Sequence, residues 1–132
     1  MSTYYKVVRK LWSGKLVSSQ LMVKNPGCIV YKIGEWVHAH KRLEALGYGP
    51  LVFCKLESAI DFANTYKKVR SGRQHVFECE ISEVYEMKRL ILFNRIRALI
   101  KGDLTSTGCF SLMTPCGSVM VKSVKLCSCI IK

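Results

Sequence analysis

Hydrophobic positions along this chain change their period several times, and each change marks an element. Tyr4 to Trp12 and Leu16 to Val23 are rich in β-branched and aromatic residues, and Ser13-Gly14-Lys15 between them suits a tight turn, so the pair predicts a hairpin. Asn25-Pro26-Gly27 is a second turn signal, leading to a third strand over Cys28 to Ile33 that Gly34 breaks. Over residues 35–46, Trp36, Ala39, Leu43 and Leu46 fall at helical spacing with Gly47 as a C-cap, although Ile33 to Val37 also suits an extended strand. The spacing predicts a loop there, then a short helix from about Ala39.

The most legible stretch is Gly49 to Ala63. Leu51-Val52-Phe53 reads as a short apolar strand that turns directly into a helix, in which Leu56, Ala59, Ile60 and Ala63 share one face and can pack on the sheet. That helix is predicted to end near Val69, and Ser71-Gly72-Arg73 makes a turn. His75 to Ile81 then alternates apolar and polar residues, the pattern of a half-buried strand. From Met87 to Lys101 a wide apolar stripe runs beside basic residues, and length favours a helix, with Leu90-Ile91-Leu92-Phe93 as a strand alternative. A polar loop (residues 103–108), a turn at Pro115-Cys116-Gly117 and one or two strands over Ser118 to Ile131 complete the chain. No repeat or linker divides it, so the expected fold is a single α+β domain over residues 1–132. It is a mostly antiparallel twisted sheet with two or three helices.

Composition adds little to the fold but narrows the partners. The chain has 132 residues, 49% hydrophobic, enough for one core. Its longest apolar run is interrupted at Arg95, far short of the ~20 residues that span a bilayer, and the N-terminus does not read as a signal peptide. The expected setting is intracellular, in the cytoplasm. Seven cysteines, an odd number without an export signal, disfavour a disulfide framework. Cys54, Cys79 and Cys127 sit in apolar runs and read as reduced, buried thiols. The net charge is +12, carried by the two ends, since residues 1–48 hold eight Lys/Arg against two acids and residues 87–132 eight against one. This imbalance points to an acidic partner, nucleic acid or a nucleotide-like ligand foremost. The basic positions able to meet it are Arg9 and Lys10 on the first strand, Arg95, Arg97 and Lys101 on the late helix, and Lys122 and Lys125 on the last strand.

Motif chemistry is mostly excluded. Cys109, Cys116, Cys127 and Cys129 match no paired zinc-knuckle spacing, and Cys127 and Cys129 share a predicted strand face where packing explains them. His38 and His40 fall on one side only if their segment is extended. The chain has no P-loop, dinucleotide fingerprint, nucleophile elbow or zinc-protease helix, and its C-terminal Cys-Ile-Ile-Lys lacks a usual prenylation end. Glu78 and Glu80 share a strand face as the core of the one acidic cluster. No cofactor or metal is expected, and both a monomer and a homo-oligomer fit the pattern.

The succession of an opening Tyr-Lys-Val-Val strand, Tyr31 to Val37, Gly49 to Phe53 leading into Leu56-Glu57-Ser58-Ala59, and Val76 to Glu80 resembles small uncharacterised proteins of phages and other viruses. The resemblance covers most of the chain, with Cys54-Lys55 standing where those proteins offer Asp or Ser as a helix N-cap. More distantly, the strand entering a helix at Gly-x-x-x-Phe is similar to the ADP-ribosyltransferase fold, in which that unit covers bound NAD. That resemblance implies Arg or His on the first strand, Ser or Tyr on a middle one and a catalytic Glu near the last. Here Tyr5-Lys6 stands first and no Glu follows Glu86, so Glu78 or Glu80 is the nearest substitute and a non-catalytic version is implied. Tyr5, Lys6, Trp36 and Glu78 are the candidate ligand-binding residues. The expected function is a non-enzymatic binding module of viral type with basic surfaces for an acidic partner. The alternatives are an NAD-using ADP-ribosyltransferase-like enzyme and a protein–protein adaptor.

Overall fold

Strand β1 (Tyr4–Lys10) shows how one stretch serves two cores, because successive side chains point to opposite faces: Val8 is buried on one side of the sheet and Val7 on the other. The computed structural model describes residues 3–19, 28–45, 48–65, 67, 72–85, 90–91, 111–112 and 117–131. β1 turns through Ser13 and Gly14 into β2 (Leu16–Ser18), where the Leu11 N–H donates to the Lys15 carbonyl at 2.9 Å. This is the hairpin that the turn signal predicts. β3 (Val30–Tyr31) pairs with β2 and is shorter than the Cys28 to Ile33 strand read from the sequence. It ends at a turn in which Gly34, at φ 84°, takes a backbone conformation that a side chain disfavours.

Beyond that turn the structure corrects the sequence. Residues 36–38 form β4 (Trp36–His38), not a loop, and α1 (Lys41–Ala45) begins two residues later than the helical spacing indicates. Three residues are too few to register as a period. Their pairing partner, β10 (Ser123–Ile131), lies far away in sequence. β5 (Leu51–Phe53) then leads into α2 (Leu56–Thr65), as the apolar spacing predicts, and α2 buries Ala59 and Ala63. Gly49 precedes β5 because a Cβ there would collide with the Val121 carbonyl.

β6 (Arg73–Ile81) pairs with the whole of β1, from Tyr4 opposite Cys79 to Lys10 opposite Arg73. On its other side it pairs with β10, through two register shifts that interrupt the ladder at Cys127 and Ile130. β9 (Ser118–Met120) pairs with β5, which in turn meets β1 at Phe53 opposite Tyr5. All these ladders are antiparallel. The main path runs β3-β2-β1-β6-β10-β4, with β5 and β9 branching from β1. Residues 118–131 therefore bind both the β5 branch and the β6 side of one sheet. The result is an antiparallel α+β architecture with two helices among the described residues.

The third helix, read over Met87 to Lys101, is not what forms at Leu90–Ile91. Those two residues make β7 (Leu90–Ile91), paired with β8 (Ser111–Leu112). A short apolar run fits a strand as well as a helix, and here pairing decided. The rest of that reading, residues 87–89 and 92–101, lies outside the described residues.

Two apolar clusters hold the sheet. On the inner face Val8, Val52, Phe77, Val121, Val124 and Leu126 pack with Tyr31 and Cys79. On the outer face Val7, Phe53 and Val76 pack under Ala59 and Ala63 of α2, with Leu56 and Phe62 alongside and the Phe53 and Phe62 rings 5.3 Å apart. Of the three thiols read as buried, only Cys79 is. Cys54 and Cys127 are exposed, Cys54 in the turn before α2 and Cys127 at the β10 bulge.

Candidate binding site

Strand alternation divides the candidate residues between the two faces. Tyr5, Glu78 and Ser128 lie side by side on the outer face, Tyr5 paired with Glu78 and Glu78 with Ser128, whose hydroxyl donates to Glu78 Oε2 at 3.2 Å. On the same face, further along, Trp36 pairs with Lys125 and Lys125 with Glu80. Lys125 Nζ sits 5.4 Å from the centre of the Trp36 ring and 2.6 Å from Glu80 Oε2. The hydrogen bond and the charge of Glu80 raise the Lys125 pKa above the ordinary lysine value. Tyr5, Trp36 and Glu78 thus share a face.

Lys6 does not join them. It points into the inner cluster at 8% exposure, donates from Nζ to the Leu51 carbonyl at 2.7 Å and lies 5.6 Å from the centre of the Tyr31 ring. Burial lowers its pKa to about 8, with nearby Cys79 acting the other way. Burial likewise pushes the Cys79 thiol up to about 12 and the Tyr31 phenol above its usual value. An ammonium so enclosed is a core group, and a ligand on the outer face does not reach it.

The basic residues scatter in the same way. Arg9 is 1% exposed on the outer face and has no surface for a polyanion. Lys10 and Lys122 are exposed at separate strand ends, Lys122 with its N–H bonded to the Glu83 carbonyl at 2.8 Å. Arg95, Arg97 and Lys101 lie outside the described residues.

What the structure does assemble is a shallow, open cleft. It has a volume of about 510 Å³ and is lined on one side by Cys28, Ile29 and Val30 and on the other by residues 36–41. These are the two ends of the sheet path: β3 forms one lip and β4 the other, with the Gly34 turn joining them. The floor is apolar, since Ile29 and Val37 are half-buried against the inner cluster. Of the lining residues only Lys41 carries a fixed charge, and Lys32, Glu35 and Arg42 are exposed in the flanking sequence. Trp36 is 48% exposed at the lip, and Val30 and Ile33 are exposed beside it. His38 Nδ1 lies 3.1 Å from the Ala39 carbonyl and 3.2 Å from Glu44 Oε2. His40 precedes α1 and its Nδ1 accepts the Arg42 N–H at 3.2 Å, in the manner of an N-cap.

Sequence reasoning named Trp36 but missed the lip it belongs to, and the signal was the extended reading of His38 and His40. It also missed the approach of Cys129 Sγ to His75 Nδ1, at 3.7 Å on the inner face, a contact created by β6–β10 pairing. Its setting is that of a core contact, because His75 is buried and neither residue lines the cleft. Among the described residues no three His, Cys, Asp or Glu side chains form a group able to hold a metal ion, and no helix is long and apolar enough to cross a membrane. No family model matches the chain, and neither a curated protein nor a solved structure does.

Proposed function

We propose that this protein is a non-enzymatic binding module that engages an acidic partner, such as nucleic acid or a nucleotide-like ligand, at the cleft between β3 and β4. In this reading it works inside a cell, a host cell if its source is viral. The observation that carries the reading is the lip itself: a half-exposed indole at the edge of a cleft lined by the apolar Ile29 and Val37 and by Lys41, on a chain of net charge +12. An indole offers a flat contact surface and the cations offer screened attraction, a combination suited to an anionic polymer.

Trp36 fluorescence reports on it directly once Trp12 is replaced by Phe. Titration with oligothymidylate, RNA and polyglutamate at low salt is expected to change the emission, with affinity falling as salt rises. No response to any of them removes the reading. A second reading, an NAD-using ADP-ribosyltransferase-like enzyme, draws on the pairing of Tyr5 with Glu78 on one face. Incubation with labelled NAD and cell lysate tests it, and the absence of both label transfer and NAD hydrolysis excludes it.

A further inference from the structure

The anionic-partner reading leaves the class of polymer open, and the backbone of β4 narrows it. In an antiparallel ladder each residue turns both its N–H and its C=O to the same side, and successive residues alternate sides. The phase of this ladder is set by β10: the Ser82 N–H donates to the Ser123 carbonyl at 3.2 Å, so Ser123 faces the β6 side and its neighbour Val124 faces β4. The Gly34 N–H donating to the Leu126 carbonyl at 2.8 Å fits the same phase. Val37 therefore exchanges its backbone bonds with Val124, and Trp36 and His38 turn theirs away from the sheet. β4 is the last strand of its path, so among the described residues no strand meets those groups. The same argument on the opposite lip, from the Ser18 N–H donating to the Ile29 carbonyl at 3.0 Å, turns the backbone of Val30 outward.

An unpaired edge is a template for another strand, and natural edges are usually blunted by proline, a bulge or a covering element. None of these protects Trp36–His38 among the described residues. We propose that the open edge of β4 accepts an extended acidic segment of a partner polypeptide as an added strand. The inference rests on the anionic-partner reading and assigns the partner's class.

Side-chain alternation specifies the segment. Residues of the added strand on the inner side come against Val37 and Ile29, whose half-buried surfaces they complete, and so are apolar. Residues on the outer side come beside Trp36 and His38, at the cleft that Lys41 also lines, and so are acidic. Charge also chooses between occupants. Lys32, Lys41 and Arg42 are exposed without an ion pair among the described residues, whereas Lys125 already has Glu80. A second copy pairing edge to edge would bring two sets of these cations together. A nucleic acid would satisfy the cations but would leave the alternating N–H and C=O row unmatched.

The test uses the full chain and a blocked peptide of alternating Glu and Val. Hydrogen exchange is followed at the amides of Trp36 and His38, with peptide affinity from fluorescence. The peptide is expected to protect both amides. N-methylation of its alternate backbone nitrogens, which leaves its charge and side chains intact, is expected to weaken binding about tenfold or more. A protein variant serves as a second probe: His38→Pro deletes an outward N–H while sparing the ladder to β10, and the same loss is expected there. Equal affinity for parent and N-methylated peptides overturns the proposal, as does oligothymidylate displacing the peptide and protecting the two amides better. Failure of peptide, oligothymidylate and RNA alike at low salt overturns instead the anionic-partner reading beneath it.

Discussion

Two places in this protein set a lysine over an aromatic ring beside a cysteine, to opposite ends. Inside the sheet Lys6 lies over the Tyr31 ring with Cys79 nearby; on the outer face Lys125 lies over the Trp36 ring with the Cys127 thiol directed at the Lys125 carbonyl, 3.7 Å away. The ring distances, 5.6 and 5.4 Å, are nearly equal. What differs is water. Burial lowers the Lys6 pKa to about 8, whereas Lys125, in solvent beside Glu80, is raised. A cation over a ring is therefore no measure of its own strength, because desolvation outweighs the ring's attraction in one case and is nearly absent in the other.

The largest expected difference between the two places is in thiol chemistry. With the Cys79 pKa pushed from 9.0 to about 12, its thiolate fraction near neutral pH falls about a thousandfold below that of an ordinary thiol. Iodoacetamide labelling followed by mass spectrometry should modify Cys54 and Cys127 early and Cys79 only on unfolding. Comparable rates would show that the inner face admits solvent.

Stability should divide along the same line. Leu126→Ala, emptying a site 1% exposed in the inner cluster, is expected to cost about 3 kcal/mol, whereas Trp36→Ala on the lip is expected to cost less than about 1 kcal/mol while abolishing the binding response. Urea denaturation of both variants checks this. A costly Trp36→Ala would make the indole structural and weaken the case for the cleft.

The pH dependence is smaller. Lys6 holds its proton less tightly folded than unfolded, so the unfolded chain binds more protons above about pH 8 and stability rises with pH there, from a constant penalty below. Above about pH 9 the raised Cys79 pKa cancels this gain, since the unfolded thiol ionises while the folded one does not, and stability falls with pH only above the ordinary lysine value of 10.5. Between those two values the gain is about 1 kcal/mol, and Lys6→Met should lack it in chemical denaturation. A flat profile in the parent protein would mean that water reaches Nζ. Least of all, Glu80→Gln is expected to shift the urea midpoint only marginally, an effect that salt removes, because the pair is solvent-screened.

Legibility followed the range of the interactions. The hairpin at Ser13-Gly14-Lys15, the strand over His75 to Ile81 and the turn from β5 into α2 were readable because a local period or a turn residue encodes each. β4 was not, since three residues carry no period and their partner β10 lies far off in sequence. The same long-range pairing set Leu90–Ile91 against Ser111–Leu112, where helical spacing gave another answer. As for the site, alternation alone put Glu78 and Glu80 on one face. Alternation also puts Tyr5 and Lys6 on opposite faces, but it could not tell that both faces of β1 would be covered, which encloses Lys6 on one and Arg9 on the other. The cleft exists only because the two ends of the sheet path border one space, a property of topology rather than of any segment.

The segment from Ser118 to Ile131, which joins the β5 branch to the β6 side and carries β4 in turn, also sets an order of events during synthesis. Roughly forty residues separate Ile81 from Ser123. At about 5–20 residues per second of ribosomal elongation they take some seconds to appear. Throughout that interval β6 and its partner β1 are complete while its second partner β10 does not yet exist, so Phe77 and Cys79 wait beside an unpaired edge. The nascent chain is most exposed to mispairing after β6 has emerged, and a holdase that recognises extended apolar segments has its natural target there.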